Sequence, residues 1–224
     1  MSWELAVKSL AAKAGLSVQR LPTAAWEGDA DFPALLAESA GLTMVDPNRL
    51  YILYQLAKRA KALKGDAAEV GVYKGGTARL LGKVFHGDRT LHLFDTFSGM
   101  PETDAARDTH QKGDFSDTSL EGVRKVMEGI PYVGFHPGFF PDTTKDLKSA
   151  HFAFVHVDVD IHKSVQDACA FFYPRLVSGG VMVFDDYAAR GCPGVKPAVD
   201  AFFASKGEPT LALPTTQCVV IKTR

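Results

Sequence analysis

The sequence predicts an α/β fold: a doubly wound, mostly parallel sheet of seven strands, with an antiparallel hairpin at its C-terminal edge and a helical extension at its N-terminus. Three observations support this prediction. From residue 65 onward, short apolar runs alternate with helical patterns, which is typical of parallel sheets with crossover helices. Residues 152–157 (FAFVHV) are almost continuously apolar, as in a strand buried on both faces. The last two apolar runs are separated only by a turn, which indicates a hairpin.

Residues 1–64 are predicted to form the helical extension, with three helices. The second predicted helix covers residues 31–39. The third begins near residue 47 with Asp46 as its N-cap, because an aspartate before a proline is a common helix start. The apolar stripe of the first predicted helix consists of Leu5, Val7, Leu10, Ala11 and Ala14.

The remaining residues alternate between strand and helix patterns. The predicted strands are residues 67–72, 90–95, 132–135, 152–158, 180–185, 210–213 and 218–223. The predicted helices between them are residues 77–84, 120–127, 143–149, 165–176 and 194–205. A polar loop of residues 96–119 is long for a compact domain, so we expect it to order over a ligand.

The composition excludes several classes of protein. The chain has 224 residues, 46% of them apolar and 23% charged, as in an ordinary globular domain. Its formal charge of -1 argues against nucleic acid or an anionic membrane as a partner. No apolar run approaches the ~20 residues of a membrane span. Three widely spaced cysteines (Cys169, Cys192 and Cys218) form neither a disulfide framework nor a zinc pattern, so we expect a cytoplasmic protein.

The loop after the first predicted strand, EVGVYKGGT (residues 69–77), lies where doubly wound sheets bind ligands. Gly71 and Gly76 match the outer positions of the dinucleotide fingerprint G-x-G-x-x-G, but Tyr73 replaces the middle glycine that admits a pyrophosphate. This favours a nucleoside without a pyrophosphate over NAD or FAD. Glu69 is placed to hold a cationic or hydroxyl group, and Asp95 lies where an acidic residue meets ribose hydroxyls. The alternative is that the glycines only form a tight turn and that Asp95 caps a loop.

Carboxylates follow two strands that a doubly wound sheet would place side by side. Asp158 ends one strand, and Asp185 and Asp186 end the next. Three carboxylates so close would repel one another and raise their pKa values. A hard divalent cation such as Mg²⁺ removes that conflict, which predicts a metal site. The alternative is that each aspartate only ends a strand or caps a helix.

Asp160 lies two residues beyond Asp158, on the same side if the strand continues. A cation acidifies a hydroxyl that it holds, and a nearby carboxylate can take the proton, which makes Asp160 the candidate base. His162 is a rival base because its pKa is nearer neutrality, or else a loop histidine bonded to backbone. His156, on the strand itself, is expected to be a core histidine.

Eight short motifs follow one another between residues 43 and 203. They are TM (residues 43–44), EVGVYKGGT, LFDTFSGMP, GDFS, GFFPDT, VDVD, FYPRL and FDDY. In this order they resemble the class I S-adenosylmethionine-dependent methyltransferases, and more narrowly the macrocin O-methyltransferase family of natural-product sugar methyltransferases. Where members often have a tyrosine after D-x-D-x, this chain has His162.

The resemblance implies a Rossmann-like methyltransferase domain over residues 65–224, and acceptor and dimer contacts from residues 1–64. It implies Mg²⁺ on Asp158, Asp185 and Asp186, with Asp160 as the base. It also places the methionine part of S-adenosylmethionine near residues 43–44, the ribose near Asp95 and the adenine near residues 114–116. The donor-binding residues expected on this basis are Thr43, Met44, Glu69, Gly71, Tyr73, Gly76, Thr77, Asp95, Ser98, Asp114, Phe115 and Ser116.

The expected function is therefore Mg²⁺-dependent transfer of a methyl group from S-adenosylmethionine to a hydroxyl of a sugar or glycosylated natural product. We expect a small-molecule acceptor, a cytoplasmic homodimer, and no nucleic-acid or membrane partner. Two alternatives remain open: a metal-dependent methyltransferase that acts on a catechol, and a non-catalytic nucleoside-binding module. Tyr73 argues against a third, a nicotinamide oxidoreductase.

Overall fold

The computed structural model describes residues 10–11, 13–14 and 24–223. The chain divides into two units, Met1–Ala30 and Asp31–Arg224. In the first unit Leu10, Ala11 and Lys13 are helical, whereas Leu5 and Val7 of the first predicted helix lie outside the described residues. No helix in the described ranges is long and apolar enough to cross a membrane. The roles predicted for residues 1–64 stay predictions.

The second unit contains a seven-stranded sheet, which confirms the predicted fold class. Its spatial order is β3-β2-β1-β4-β5-β7-β6. The first five strands are parallel, and β7 runs antiparallel to both of its neighbours, which confirms the predicted hairpin. The strands are β1 (Asp66–Val70), β2 (Leu91–Asp95), β3 (Val133–Pro137), β4 (Phe152–Val157), β5 (Leu176–Phe184), β6 (Thr210–Ala212) and β7 (Cys218–Ile221).

Helices precede the sheet and connect its strands. They are α1 (Phe32–Ser39), α2 (Pro47–Ala60), α3 (Gly76–Phe85), α4 (Leu120–Val126), α5 (His162–Arg175) and α6 (Val195–Phe203). The predicted N-cap of α2 is confirmed, because the Asp46 carboxylate accepts hydrogen bonds from the backbone N–H groups of Asn48 (2.9 Å) and Arg49 (3.3 Å).

Three elements differ most from the prediction. The helix predicted at residues 143–149 is a 3₁₀-helix, Asp142–Leu147, a form common in segments this short. Helix α5 begins at His162, three residues early, because its first N–H donates to the carboxylate of Asp108 (2.8 Å), a loop residue distant in sequence. Strand β5 begins at Leu176 and not at residue 180, because Leu176 pairs with Phe152 and the register then shifts.

The register of the sheet places the strand ends that matter for function. Glu69 of β1 lies beside His156 of β4, and Val70 lies beside Val157. On the other side of β4, Val157 lies beside Phe184. The residues that follow these strands therefore emerge together at one edge of the sheet. The strand order reverses between β1 and β4, and such a switch point is where open α/β sheets bind ligands.

Candidate active site

A cavity of about 320 Å³ opens at the carboxyl ends of β1, β2, β4 and β5. Its wall includes residues from the segment before α2, the glycine loop after β1, the loop after β2 and the acidic residues after β4 and β5. The volume lies at the lower end of the range for small-molecule sites. Of the residues predicted to be functional, the wall contains Thr43, Met44, Gly71, Tyr73, Thr77, Asp95, Phe115, Asp158, Asp160 and Asp186.

Gly71 marks the closest approach between the ends of β1 and β4. Its φ is +86°, and a Cβ at this position would lie 1.7 Å from the carbonyl oxygen of Asp158. No side chain fits that space, so residue 71 must be glycine for the cavity floor to form. The sequence assigned Gly71 to ligand approach, and the structure adds this packing reason.

Gly76 has a different place from the one predicted. It begins α3 outside the cavity wall formed by the described residues, and its N–H donates to the carbonyl of Leu42 (3.0 Å). A Cβ there would lie 2.7 Å from the carbonyl carbon of Leu42. The hydroxyl groups of Thr43 and Thr77 lie 3.2 Å apart on the same contact. The hydrogen bond from Gly76 to Leu42 therefore helps to position the Thr43–Met44 segment.

Asp95 organises the glycine loop. Its carboxylate accepts hydrogen bonds from the backbone N–H groups of Val72 (2.7 Å), Tyr73 (2.9 Å) and Phe97 (2.7 Å). The loop-capping alternative is thus present in the structure. Because Asp95 also lines the cavity, its predicted contact with a ribose stays a prediction.

Aromatic side chains form one wall beyond Asp95. Phe115 contacts Tyr73 with ring centroids 5.9 Å apart and His110 with centroids 5.2 Å apart. The predicted neighbours Ser98, Asp114 and Ser116 are absent from the described cavity wall. Asp114 instead lies 3.2 Å from Nδ1 of His110 and accepts the N–H of Gln111 (3.0 Å). Sequence reasoning missed His110 because its motif, DTHQKGDFS, was matched only from Gly113 onward.

Glu69 was predicted to hold a cationic or hydroxyl group of a ligand, and in the structure it pairs with the side chain of His156. It is fully buried, outside the described cavity wall, and its Oε1 lies 2.9 Å from Nδ1 of His156. Nε2 of His156 faces Oδ1 of Asp185 at 3.8 Å, an ion-pair distance. Burial opposes the charge on His156, but the two carboxylates outweigh burial and raise its pKa to about 10. His156 is thus the predicted core histidine, and its two carboxylate neighbours favour its charged form.

Three of the predicted acidic residues meet at the cavity. Asp158, Asp160 and Asp186 each offer a carboxylate oxygen, all within 4.8 Å of one another. Burial and the charge of Asp185 raise the pKa of Asp158, and the same two causes raise that of Asp186 to about 7. The repulsion that the sequence predicted is therefore present. A hard divalent cation fits this donor set, because it takes oxygen ligands and removes the repulsion.

Asp185 lies behind this group and is already paired. Its Oδ2 accepts a hydrogen bond from Arg49 (2.7 Å) and its Oδ1 accepts one from Gln217 (2.6 Å). Burial opposes its ionisation, but His156 and Arg49 outweigh burial and hold its pKa below the usual range. Asp185 also offers an atom within 4.8 Å of one from Asp158, in a group that includes His156, so its predicted role as a metal ligand stays a prediction. Arg49 and Gln217 lie on distant segments, so strand-end patterns did not reveal them.

The two candidate bases differ in position. Asp160 lines the cavity in a left-handed backbone conformation (φ +58°) and accepts a hydrogen bond from the thiol of Cys192 (Sγ to Oδ1, 3.3 Å). His162 is outside the part of the wall that the structure describes, and its Nε2 lies 3.1 Å from the guanidinium of Arg107. Burial and Arg107 lower its pKa. The geometry therefore favours Asp160 over His162 as the base.

Comparison with known proteins identifies the family. A model described as macrocin-O-methyltransferase (TylF) matches residues 6–212. One relative is the 8-demethyl-8-(2,3-dimethoxy-alpha-L-rhamnosyl)-tetracenomycin-C 4'-O-methyltransferase of Streptomyces olivaceus. It is 34% identical in an alignment that covers 74% of this chain and 71% of the relative. Another, the mycinamicin III 3''-O-methyltransferase of Micromonospora griseorubida, is 32% identical over 67% of this chain and 66% of its own length.

One solved structure resembles this chain in both fold and sequence. The structure of the O-methyltransferase NovP superposes with a TM-score of 0.71 at 28% identity, covering 82% of this chain and 83% of that one. The family model, the two relatives and this solved structure are all named O-methyltransferases. The chain therefore belongs to the macrocin O-methyltransferase family.

Proposed function

We propose that the chain is a Mg²⁺-dependent enzyme that transfers a methyl group from S-adenosylmethionine to a hydroxyl of a sugar or glycosylated natural product. The observation that carries the proposal is one cavity that joins two features: the glycine loop with Asp95 at one end, and the carboxylates of Asp158, Asp160 and Asp186 at the other. The names of the relatives support the acceptor class, since one of them includes a rhamnosyl group.

The glycine-loop end suits the donor. Tyr73, at φ +52°, occupies the place where a dinucleotide site needs glycine, which favours a nucleoside without a pyrophosphate. Phe115 offers an apolar face for an adenine, and Thr43, Met44 and Gly71 line the same cavity. In this arrangement the sulfonium methyl group would face the carboxylates. Glu69 would act from below, through His156, and not by touching the donor.

The carboxylate end suits the acceptor hydroxyl. Asp158 and Asp186 would hold Mg²⁺, with Asp185 fixed behind them by Arg49. When bound, Mg²⁺ supplies Lewis acidity toward an oxygen of the acceptor. Asp160 accepts the hydroxyl proton as the new O–C bond forms, and the S–C bond breaks with its electron pair left on sulfur. The protein places the oxygen about 3 Å from the methyl carbon, in line with the leaving sulfur.

The test is methyl transfer from labelled S-adenosylmethionine to a panel of glycosylated acceptors and catechols. We expect transfer to a glycosylated acceptor, which EDTA abolishes and added Mg²⁺ restores. Asp160→Asn should lower turnover about 10²- to 10⁴-fold while donor binding, measured by calorimetry, is kept. The matched control is Asp167→Asn, which removes a carboxylate from an i,i+4 pair with Lys163 on α5 and should keep turnover.

Each part of the proposal can fail separately. Full turnover by Asp160→Asn would rule out the base, and activity that survives exhaustive chelation would rule out the metal. Transfer to a catechol but to no sugar would replace the acceptor class. Donor binding without transfer to any acceptor would indicate a nucleoside-binding module. The homodimer and the cytoplasmic location stay predictions, of which the former is tested by light scattering.

A further inference from the structure

A second group of metal-ligating side chains lies on the cavity wall beside the acidic residues. His110, Asp160 and Cys192 each offer one donor atom, and the three atoms lie within 4.8 Å of one another. All three residues line the cavity. They come from three separate segments: the loop after β2, the turn after β4 and the loop before α6. This is why the spacing of the cysteines in the sequence showed no zinc pattern.

Two of the three spacings between these atoms match those of ligands around one zinc ion, and the third is within 4.8 Å. Zinc binds sulfur at about 2.3 Å and nitrogen or oxygen at about 2.0–2.2 Å, so at the tetrahedral angle sulfur lies about 3.6 Å from either atom. In the structure Sγ of Cys192 lies 3.7 Å from Nε2 of His110 and 3.3 Å from Oδ1 of Asp160. Both distances are within about 0.3 Å of that geometry, without any rearrangement of the backbone.

The orientation of His110 is a second, independent observation. Its other ring nitrogen, Nδ1, lies 3.2 Å from the carboxylate of Asp114, a residue outside the group. A proton on Nδ1 that is donated to Asp114 leaves the lone pair on Nε2, which is the nitrogen that faces Cys192. Histidines that bind metals are held in this way, with a carboxylate on the far nitrogen.

We propose that His110, Asp160 and Cys192 form a second metal site, which takes a borderline-soft divalent ion such as Zn²⁺ and thereby withdraws Asp160 from methyl transfer. Thiolate and imidazole prefer zinc-class ions, whereas the carboxylates of Asp158 and Asp186 suit Mg²⁺. Binding replaces the proton of the Cys192 thiol with a metal–sulfur bond and releases that proton to solvent. The site itself is independent of the proposed function, but the loss of activity depends on the role of Asp160 as the base.

Cobalt is the probe, because a thiolate bound to Co²⁺ produces a charge-transfer absorption that oxygen ligands do not. The full chain is titrated with Co²⁺ in excess Mg²⁺, which keeps the carboxylate site filled. We expect a thiolate-to-cobalt band that saturates at one equivalent and that Zn²⁺ displaces. Cys192→Ala should abolish the band, and His110→Gln should weaken cobalt binding by more than about tenfold. Cys218→Ala, which removes another buried thiol away from the cavity, should keep the band.

Three results would overturn the site. They are the absence of the band in the wild-type chain, its persistence in Cys192→Ala, and unchanged cobalt affinity in His110→Gln. Thermal unfolding of each variant shows that it is folded. In the activity arm, Zn²⁺ should inhibit wild-type turnover at saturating Mg²⁺, and Cys192→Ala should relieve that inhibition at least tenfold. A saturating band without inhibition would leave the site standing and overturn the role of Asp160 as the base.

Discussion

Replacing Arg49 with methionine is expected to destabilise the chain, because it removes the cation from a buried carboxylate. The guanidinium lies 2.7 Å from Oδ2 of Asp185 and 3.3 Å from Oδ1 of Asp186. The side chain of Asp185 is fully buried, and that of Arg49 is 15% exposed. Methionine keeps most of the volume of the arginine stem, so the change removes charge and hydrogen bonds more than packing.

The magnitude follows from the burial of the pair. Removing one partner of a buried ion pair costs about 3–5 kcal/mol, because the other charge is left uncompensated. Asp185 keeps its hydrogen bond from Gln217 and its neighbour His156, so we expect the lower end, about 3 kcal/mol. For a chain of this length, 1 kcal/mol shifts the melting temperature by about 2–4 °C, which predicts a loss of about 6–12 °C.

The measurement is urea and thermal unfolding of a double-mutant cycle. Asp185→Asn removes the stranded charge, so the double variant Arg49→Met/Asp185→Asn should be about 2 kcal/mol more stable than the sum of the single losses predicts. Arg59→Met is the matched control, since Arg59 lies on the same helix and, among the described residues, its guanidinium donates only to the carbonyl of Gly179 (3.0 Å). A loss in Arg49→Met no larger than in Arg59→Met would refute the reasoning.

Two further predictions concern pH and backbone geometry. Burial and His92 lower the pKa of His136 to about 4 in the folded chain, against about 6.5 in the unfolded chain. The unfolded chain therefore binds the proton first as the pH drops. The free energy of unfolding should fall by at most about 3 kcal/mol between pH 6.5 and pH 4. Urea unfolding at several pH values tests this, and His136→Phe should flatten the dependence. Gly71→Ala should lower the free energy of unfolding by more than about 2 kcal/mol and abolish donor binding, because its Cβ would meet the carbonyl of Asp158. Gly87→Ala is the control, since Gly87 has φ +78° but open space around it, and it should lose only about 1 kcal/mol. Equal losses in the two glycine variants would contradict the packing argument.

Hydrophobic patterning was sufficient to predict the sheet because each strand is short, apolar and followed by a helix or a turn. The adjacency of β4 and β5 was deduced from the doubly wound order, and it correctly brought Asp158 near Asp185 and Asp186. The predicted boundary of an element was wrong where it depends on a residue distant in sequence. For example, Asp108 supplies the hydrogen bond with which α5 begins at His162.

Patterning predicted the part of the site at the strand ends, whereas Thr43, Met44 and Phe115 were predicted only from the family resemblance. A strand-end position shows that a side chain reaches the ligand-binding edge, but it does not show which residue or ligand that side chain contacts. Glu69 was expected to hold a ligand, yet its partner is His156, its neighbour in the β1–β4 register. Arg49, His110 and Cys192 come from helix and loop segments, whose placement depends on packing that no local pattern records.

The distribution of charge separates the three carboxylates Asp158, Asp185 and Asp186 into two tasks. Asp185 lies between two protein cations, Arg49 at 2.7 Å and His156 at 3.8 Å, so its charge is neutralised within the protein. Burial and the charge of Asp185 raise the pKa values of Asp158 and Asp186, and Arg49 at 3.3 Å from Asp186 offsets only part of this effect. A negative site of this kind, held in place by internal ion pairs, attracts cations to the cavity and not to the core. In the proposed reaction Mg²⁺ would neutralise Asp158 and Asp186, which leaves the Asp160 carboxylate free to accept the proton of the acceptor hydroxyl.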